Sequence, residues 1–198
     1  APHMRKIVTD WMLEVCEDQQ CQHEVFFLAV NYLDRVLSLV NIKKSQFQLL
    51  ASVCILLASK FSQVLPITTD RLIHLTDYSI TKEELKQWEL LVLEIIQWEL
   101  SASTAHSFLE HFFHRDMFKH CDRNVRRQAE NIAALAATEY KFITTKQSVI
   151  AAAALALAVQ QSEEESAEDL LKQLTNLIKA SSIDVLLDRK STRLNSSH

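Results

Sequence analysis

The chain has 198 residues, no glycine, and only two prolines, Pro2 and Pro66; at the usual ~7% a chain this long carries about fourteen glycines. Their absence excludes a Walker loop, a G-x-G-x-x-G dinucleotide turn, a G-x-S-x-G nucleophile elbow and an Asn-Gly hairpin, each of which needs glycine's backbone freedom at fixed places. With 48% hydrophobic and 23% charged residues and a formal charge of −4, the chain is not a disordered polar chain, and it is a poor candidate for nucleic-acid binding, which draws on phosphate neutralisation.

What remains is an all-helical protein that works by contact, of one domain or two small ones. Tandem helical bundles need few residues at positive φ, so the missing glycines are affordable. The longest apolar stretch, Val149 to Val159, is half alanine and too short to span a membrane. Cys16, Cys21, Cys54 and Cys121 show no C-x-x-C spacing, which argues against a zinc ribbon or a disulfide framework and for a reducing interior. No signal peptide is visible. The start at Ala1-Pro2-His3 falls at once into helical pattern, as in a fragment that begins late. Residues 188–198 read like a translated sequencing adapter and are set apart; without them 18 basic residues face 24 acidic ones, a formal −6.

In chain order, Met4, Ile7, Val8, Trp11, Met12 and Val15 form one apolar helical stripe, and Cys21 to Val40 repeats the pattern. Phe47 to Ala58 is apolar nearly all round, with no charge before Lys60, as expected of a helix at the centre of a bundle. Pro66 ends that run. A short helix over Asp70 to Leu75 follows, and Thr81-x-x-Glu84 is a capping box that opens a helix to about Leu100. Ser103 or Thr104 then caps a helix through Phe113, and a polar loop runs from Arg115 to Asp122. Further helices are expected over Asn124 to Tyr140, Thr145 to Gln160 and Ala167 to Ala180, with a last one beginning at Ser182. The two apolar helices, ending at Lys60 and Gln160, stand about a hundred residues apart and point to two similar helical units in tandem.

No catalytic constellation assembles. His106, His111, His114 and His120 cluster in sequence, and Glu110 lies one turn before His114, but there is no H-E-x-x-H and no Glu-x-x-His. Surface or half-buried histidines are the plainer reading, and no metal or cofactor is expected. His114-Arg115-Asp116 copies the start of a kinase catalytic loop, but Cys121 stands where the loop needs asparagine. No nucleophile, base and orienter come together. The chain reads as a non-enzyme.

Met4-Arg-Lys-Ile-Val8-x-x-Trp11-Met-Leu-Glu-Val15, Leu28-Ala-Val-Asn-Tyr-Leu-Asp-Arg-Val-Leu-Ser38, Leu49-Leu-Ala-x-x-Cys-x-Leu-Leu-Ala-Ser-Lys60 and Thr76-Asp-x-Ser-Ile-x-x-x-Glu84 together resemble the cyclin box. The opening run looks most like a D-type (G1) cyclin, and Lys86-Gln-Trp-Glu-Leu90 more like invertebrate than vertebrate members. The resemblance is dense from Met4 to about Leu109 and diffuse from there to Leu187. It implies two tandem five-helix bundles, the first truncated at its start and the second missing most of its last helix. The domains would be residues 1–101 and 102–187.

It also implies a regulatory subunit that binds and activates a cyclin-dependent kinase in G1, in nucleus and cytoplasm, with no chemistry of its own. Retinoblastoma-family substrates and kinase-inhibitor proteins would be further partners; nucleic acid and membrane would not. The alternative is a cyclin-fold transcription or scaffold protein that binds basal factors or nucleic acid. By the resemblance, Lys60 and Glu89 are the kinase-contacting pair, with Leu57, Phe61, Trp98 and Leu100 as the apolar residues around them. Met4, Ile7, Val8, Trp11, Glu14 and Gln48 match a substrate-docking patch that would take an Arg-x-Leu type peptide, Glu14 meeting the arginine. Phe61-Ser62-Gln63 departs from the charged residues most relatives place after this lysine, which leaves the identity of the kinase open. Without the resemblance, Lys60 would complement the C-terminal end of its helix, Glu89 would be a solvated charge, and the apolar residues would be plain core.

Overall fold

The fold follows from how each apolar run finds a neighbour. A computed structural model describes residues 2–115, 121–162, 172 and 174–176. The first half contains α1 (Pro2–Asp18), α2 (His23–Leu39), α3 (Phe47–Ser62), α4 (Thr69–Leu75) and α5 (Lys82–Ile95), with a short 3₁₀ turn at Lys44–Gln46 leading into α3. The second half contains α6 (Ala105–Phe113), α7 (Arg123–Thr138), a 3₁₀ turn at Tyr140–Phe142 and α8 (Gln147–Gln161). No strand occurs among the described residues.

Helix α3 is buried from Leu49 to Ser59 on every side, and α1, α2, α4 and α5 pack around it. That is the arrangement its all-round apolar sequence demands, since any exposed face would leave large apolar side chains in water. In the second half α8 plays the same part against α6 and α7, with Ala151, Ala152, Ala154, Leu155, Ala158 and Val159 buried. Its alanines let neighbouring backbones approach closely and favour the helix.

Three helix starts follow the sequence closely. The Thr68 hydroxyl accepts from Arg71 N to open α4, Thr81 and Glu84 form a reciprocal capping box at α5, and Thr104 accepts from Ser107 N at α6. Helix α5 ends at Ile95, short of Leu100, because Gln97 and Trp98 turn to φ 57° and 59°. Trp98 N donates to Leu93 O at 2.8 Å and Gln97 N to Glu94 O at 3.1 Å, which closes the helix as a left-handed C-terminal cap would. Gln20, Asp77 and Tyr78 also stand at positive φ. A glycine-free chain thus uses the left-handed region at only five described positions, all at turns or helix ends, and fills them with other residues.

Other boundaries moved by a few residues. Helix α3 stops at Ser62, before Pro66, because the buried Ser59 hydroxyl donates to Gln63 Oε1 and accepts from Ile67 N at 2.7 Å, folding the chain back over the helix end. Helix α7 ends at Thr138 and gives way to the 3₁₀ turn at Tyr140. Of the helix expected over Ala167 to Ala180, Lys172 and residues 174–176 are helical, with Leu174 buried; the rest, the helix at Ser182 and residues 188–198 lie outside the described residues.

The linker between the halves is tied to α2. Tyr32 Oη donates to Leu100 O at 2.6 Å, and Arg35 donates to Glu99 O at 2.6 Å and Ile96 O at 2.9 Å. These bonds fix where Trp98 and Leu100 stand.

Candidate functional site

Lys60 lies in the last turn of α3 and Glu89 in the middle of α5, and the packing of those helices brings them together: Lys60 Nζ donates to Glu89 Oε1 at 2.6 Å. The lysine side chain is about half exposed while the glutamate is mostly covered. In the free chain each is the other's partner, so a protein that engages this surface exchanges an existing ion pair for new ones.

Around the pair the residues divide. Leu57 is buried and belongs to the core that supports α3. Phe61 is exposed, Leu100 half-buried, and Trp98 is 62% exposed on its left-handed turn. The turn after α3 adds two residues that sequence reasoning did not single out: Val64 is 96% and Leu65 87% exposed. Leu90, next to Glu89, is exposed as well. An apolar pair held in solvent beside a proline, directly after the charged end of a core helix, was the available signal. Exposed aromatic and aliphatic side chains beside a polar pair suit a protein contact and offer no group for bond-making chemistry.

The α1 group is arranged differently from the simple stripe. Helix α1 turns Arg5, Val8, Thr9, Met12, Val15 and Cys16 inward. Ile7 and Glu14 are exposed, Met4 and Trp11 half-buried, and Val8 is core. Met4, Ile7, Trp11 and Glu14 still share one side of the helix by their spacing of three and four. Gln48, at the start of α3, is half-buried and accepts from the Ser79 hydroxyl at 3.5 Å.

The inward turn of α1 is made possible by a polar contact that the apolar pattern hides. Arg5 is buried and grips Asp34 through Nε at 2.6 Å and Nη2 at 2.8 Å. It also donates to Thr138 O at 3.0 Å and Ala137 O at 2.9 Å. Lys6 adds Asp10 at 2.7 Å, the Thr138 hydroxyl at 2.8 Å and Glu139 at 3.2 Å. The two carboxylates raise the Lys6 pKa against burial, the Asp10 bond contributing most.

The histidine run is also rearranged. His111 and His114 are exposed, whereas His106 is partly buried and faces Glu110 and the buried Glu130 of α7. Burial pulls the His106 pKa down and pushes that of Glu130 up. Burial raises the Cys54 pKa, and the bond between Cys16 and Cys21 raises that of Cys16, together with burial, and lowers that of the half-buried Cys21.

A tandem all-helical fold with an ion pair between two helices, and exposed apolar residues close to it in sequence, is the architecture of a protein that works by binding. The family model described as "Cyclin, N-terminal domain" matches residues 1–101, and "Cyclin, C-terminal domain" matches residues 103–188. The chain belongs to the cyclin family, whose members are non-catalytic regulators. It is 48% identical over 162 residues to the human G1/S-specific cyclin-D1, and 47% identical over 161 residues to the bovine G1/S-specific cyclin-D3; 80% of this chain is covered in each case. The chain spans about half the length of these relatives, 54% and 55%. Among solved structures, a viral cyclin from herpesvirus saimiri superposes with a TM-score of 0.77 over 92% of this chain and 81% of its own, at 24% identity, which supports the fold.

Proposed function

We propose that this chain is the cyclin-box portion of a D-type, G1-acting cyclin that binds and activates a cyclin-dependent kinase through the surface around Lys60 and Glu89. The observation that carries this reading is the joining of two helices at one point: the Lys60–Glu89 ion pair stands where α3 and α5 meet, with Phe61, Val64, Leu65 and Leu90 exposed beside it in sequence. The relatives at 46–48% identity named as G1/S-specific cyclins support the same reading.

The mechanism is selective binding. The chain presents a rigid face, because α3 is locked on all sides, and that face fits the kinase's helix C and activation segment in their active arrangement. A partner that binds one of two states better shifts the population toward it, and needs no chemical group of its own. In the kinase the arrangement so held includes the Glu–Lys pair that positions ATP. Leu57 contributes from beneath, by fixing the α3 surface from which Lys60 and Phe61 project. The exposed side of α1, with Ile7, Trp11 and Glu14, serves as a second surface for a substrate or inhibitor peptide carrying arginine and an apolar residue. Retinoblastoma-family proteins and kinase-inhibitor proteins belong to that class of partner, and nucleus and cytoplasm are the places of action.

The test is stimulation of a purified, inactive G1-type kinase subunit by the purified chain, read as phosphate transfer to a protein substrate. Stimulation that saturates with added chain is expected. No stimulation and no co-purification with any cell-cycle kinase subunit would remove the reading.

A further inference from the structure

Where the start of α2 meets α6 and α7, three potential metal ligands converge from remote parts of the sequence, and a fourth, the half-exposed His23, lies beside one of them. His106 and Glu110 are one turn apart on α6, and Glu130 reaches them from α7; one donor atom of each lies within 4.8 Å of the others. His23, the first residue of α2, places Nε2 3.4 Å from Glu130 Oε2, and its ring centroid is 6.2 Å from that of His106. Two features separate this group from an ordinary surface cluster. Glu130 is more than nine-tenths buried, and His106 Nδ1 is buried with no hydrogen-bond partner. A native buried polar atom without a protein partner calls for a specific explanation, and a bound ion is one.

We propose that His106, Glu110 and Glu130, with His23 as fourth donor, form a binding site for a divalent transition-metal ion of the zinc type. Two imidazoles and two carboxylates suit zinc, which takes histidine nitrogen and glutamate oxygen in a tetrahedron. Calcium would ask for six or more oxygens, and copper(I) for sulfur. Bond lengths near 2.0–2.1 Å put tetrahedral donors roughly 3.4 Å apart, so the side chains close inward on binding.

Arg126, one turn before Glu130, lies 3.3 Å from Glu110 and 4.6 Å over the Phe113 ring. Its Nη2 reaches both Glu110 oxygens, Oε1 at 3.3 Å and Oε2 at 3.4 Å, so an ion takes one of them in exchange for half of that contact, and the two glutamates against one arginine stay net anionic. Because His23 belongs to the first half of the fold and the other three to the second, the ion would pin the two halves together.

The test uses the full chain, stripped with chelator, and titrated with Zn²⁺ alone by calorimetry and with Co²⁺ by visible absorption. One ion per chain, a tetrahedral cobalt spectrum and a chelator-reversible rise in Tm are expected. Glu130→Gln and His106→Gln should each weaken binding by at least ~100-fold, at or beyond the upper end of what outer partners of metal sites cost. The double variant His111→Gln/His114→Gln, altering exposed histidines of the same region, should bind as the parent does. Should Glu130→Gln fail to fold, the parent's cobalt spectrum decides. No binding, a non-tetrahedral spectrum, or binding lost in the His111/His114 variant but kept in Glu130→Gln overturns the site.

Discussion

Arg5 of α1 and Asp34 of α2 form a two-pronged ion pair at 2.6 and 2.8 Å, and the same guanidinium holds the carbonyls of Ala137 and Thr138 at the end of α7. One buried side chain thus joins both halves of the fold. Removing it strands a largely covered carboxylate and two carbonyls. Arg5→Ala is expected to destabilise the chain by about 3–5 kcal/mol, the usual cost of breaking a buried pair from one side. Arg5→Lys should recover little of this, since an ammonium cannot make the two parallel bonds. Denaturant unfolding of the three proteins measures both.

The Thr81–Glu84 box gives a pH signature. Bonds from the Thr81 backbone and hydroxyl hold the Glu84 carboxyl below its ordinary 4.5. A depressed folded pKa stabilises the chain above that value and loses its contribution as the pH falls from 4.5 through the folded pKa. The stability gap between the parent and Glu84→Ala should therefore be full at pH 6 to 7 and shrink in acid. Thr81→Ala, which removes the cap itself, should cost about 1 kcal/mol at neutral pH. Thermal unfolding across the acid range reads both effects.

Gln97 and Trp98 occupy left-handed backbone that glycine tolerates best. A left-handed residue with a Cβ costs roughly 1–2 kcal/mol, and glycine loses roughly 0.5–1 kcal/mol in unfolded-chain entropy. Gln97→Gly, at an exposed position, should therefore stabilise the chain by about 0.5–1 kcal/mol. A lower Tm for this variant would show that the turn is not the strained cap it resembles.

Val64 and Leu65 separate binding from folding. Both are held in solvent, so Val64→Ser and Leu65→Ser should change folding stability by no more than about 0.5 kcal/mol. If the turn after α3 is part of the kinase contact, the same variants should weaken association measurably. Normal binding by both would confine the contact to the α5 side of the ion pair.

Helix existence was legible because the apolar spacings and the caps at Thr81 and Thr104 are local signals. Burial on α1 was less so. Met4, Ile7, Val8 and Trp11 read as one apolar stripe, yet of these only Val8 is core, and Arg5 and Thr9 face inward because Asp34 and Thr138 supply partners across the fold. The end of α5 was overrun because glycine usually marks such a stop, and here glutamine and tryptophan take its place. Lys60 and Glu89 could be matched to a family, but their 2.6 Å contact depends on how α3 and α5 cross, which no local pattern encodes. His23 and Glu130 were missed beside His106 for the same reason: they are far apart in sequence, and only the fold joins them.

The central claim is tested most directly by measuring the affinity of a purified cyclin-dependent kinase subunit for the parent chain, Lys60→Glu and Glu89→Lys. The pair, half exposed on the lysine side and mostly covered on the glutamate side, should contribute only about 1 kcal/mol to folding, so both variants should remain folded by circular dichroism. Each should lose about 2–5 kcal/mol of binding, as charge pairs desolvated in an interface do. Folded variants that bind the kinase as tightly as the parent would contradict the account.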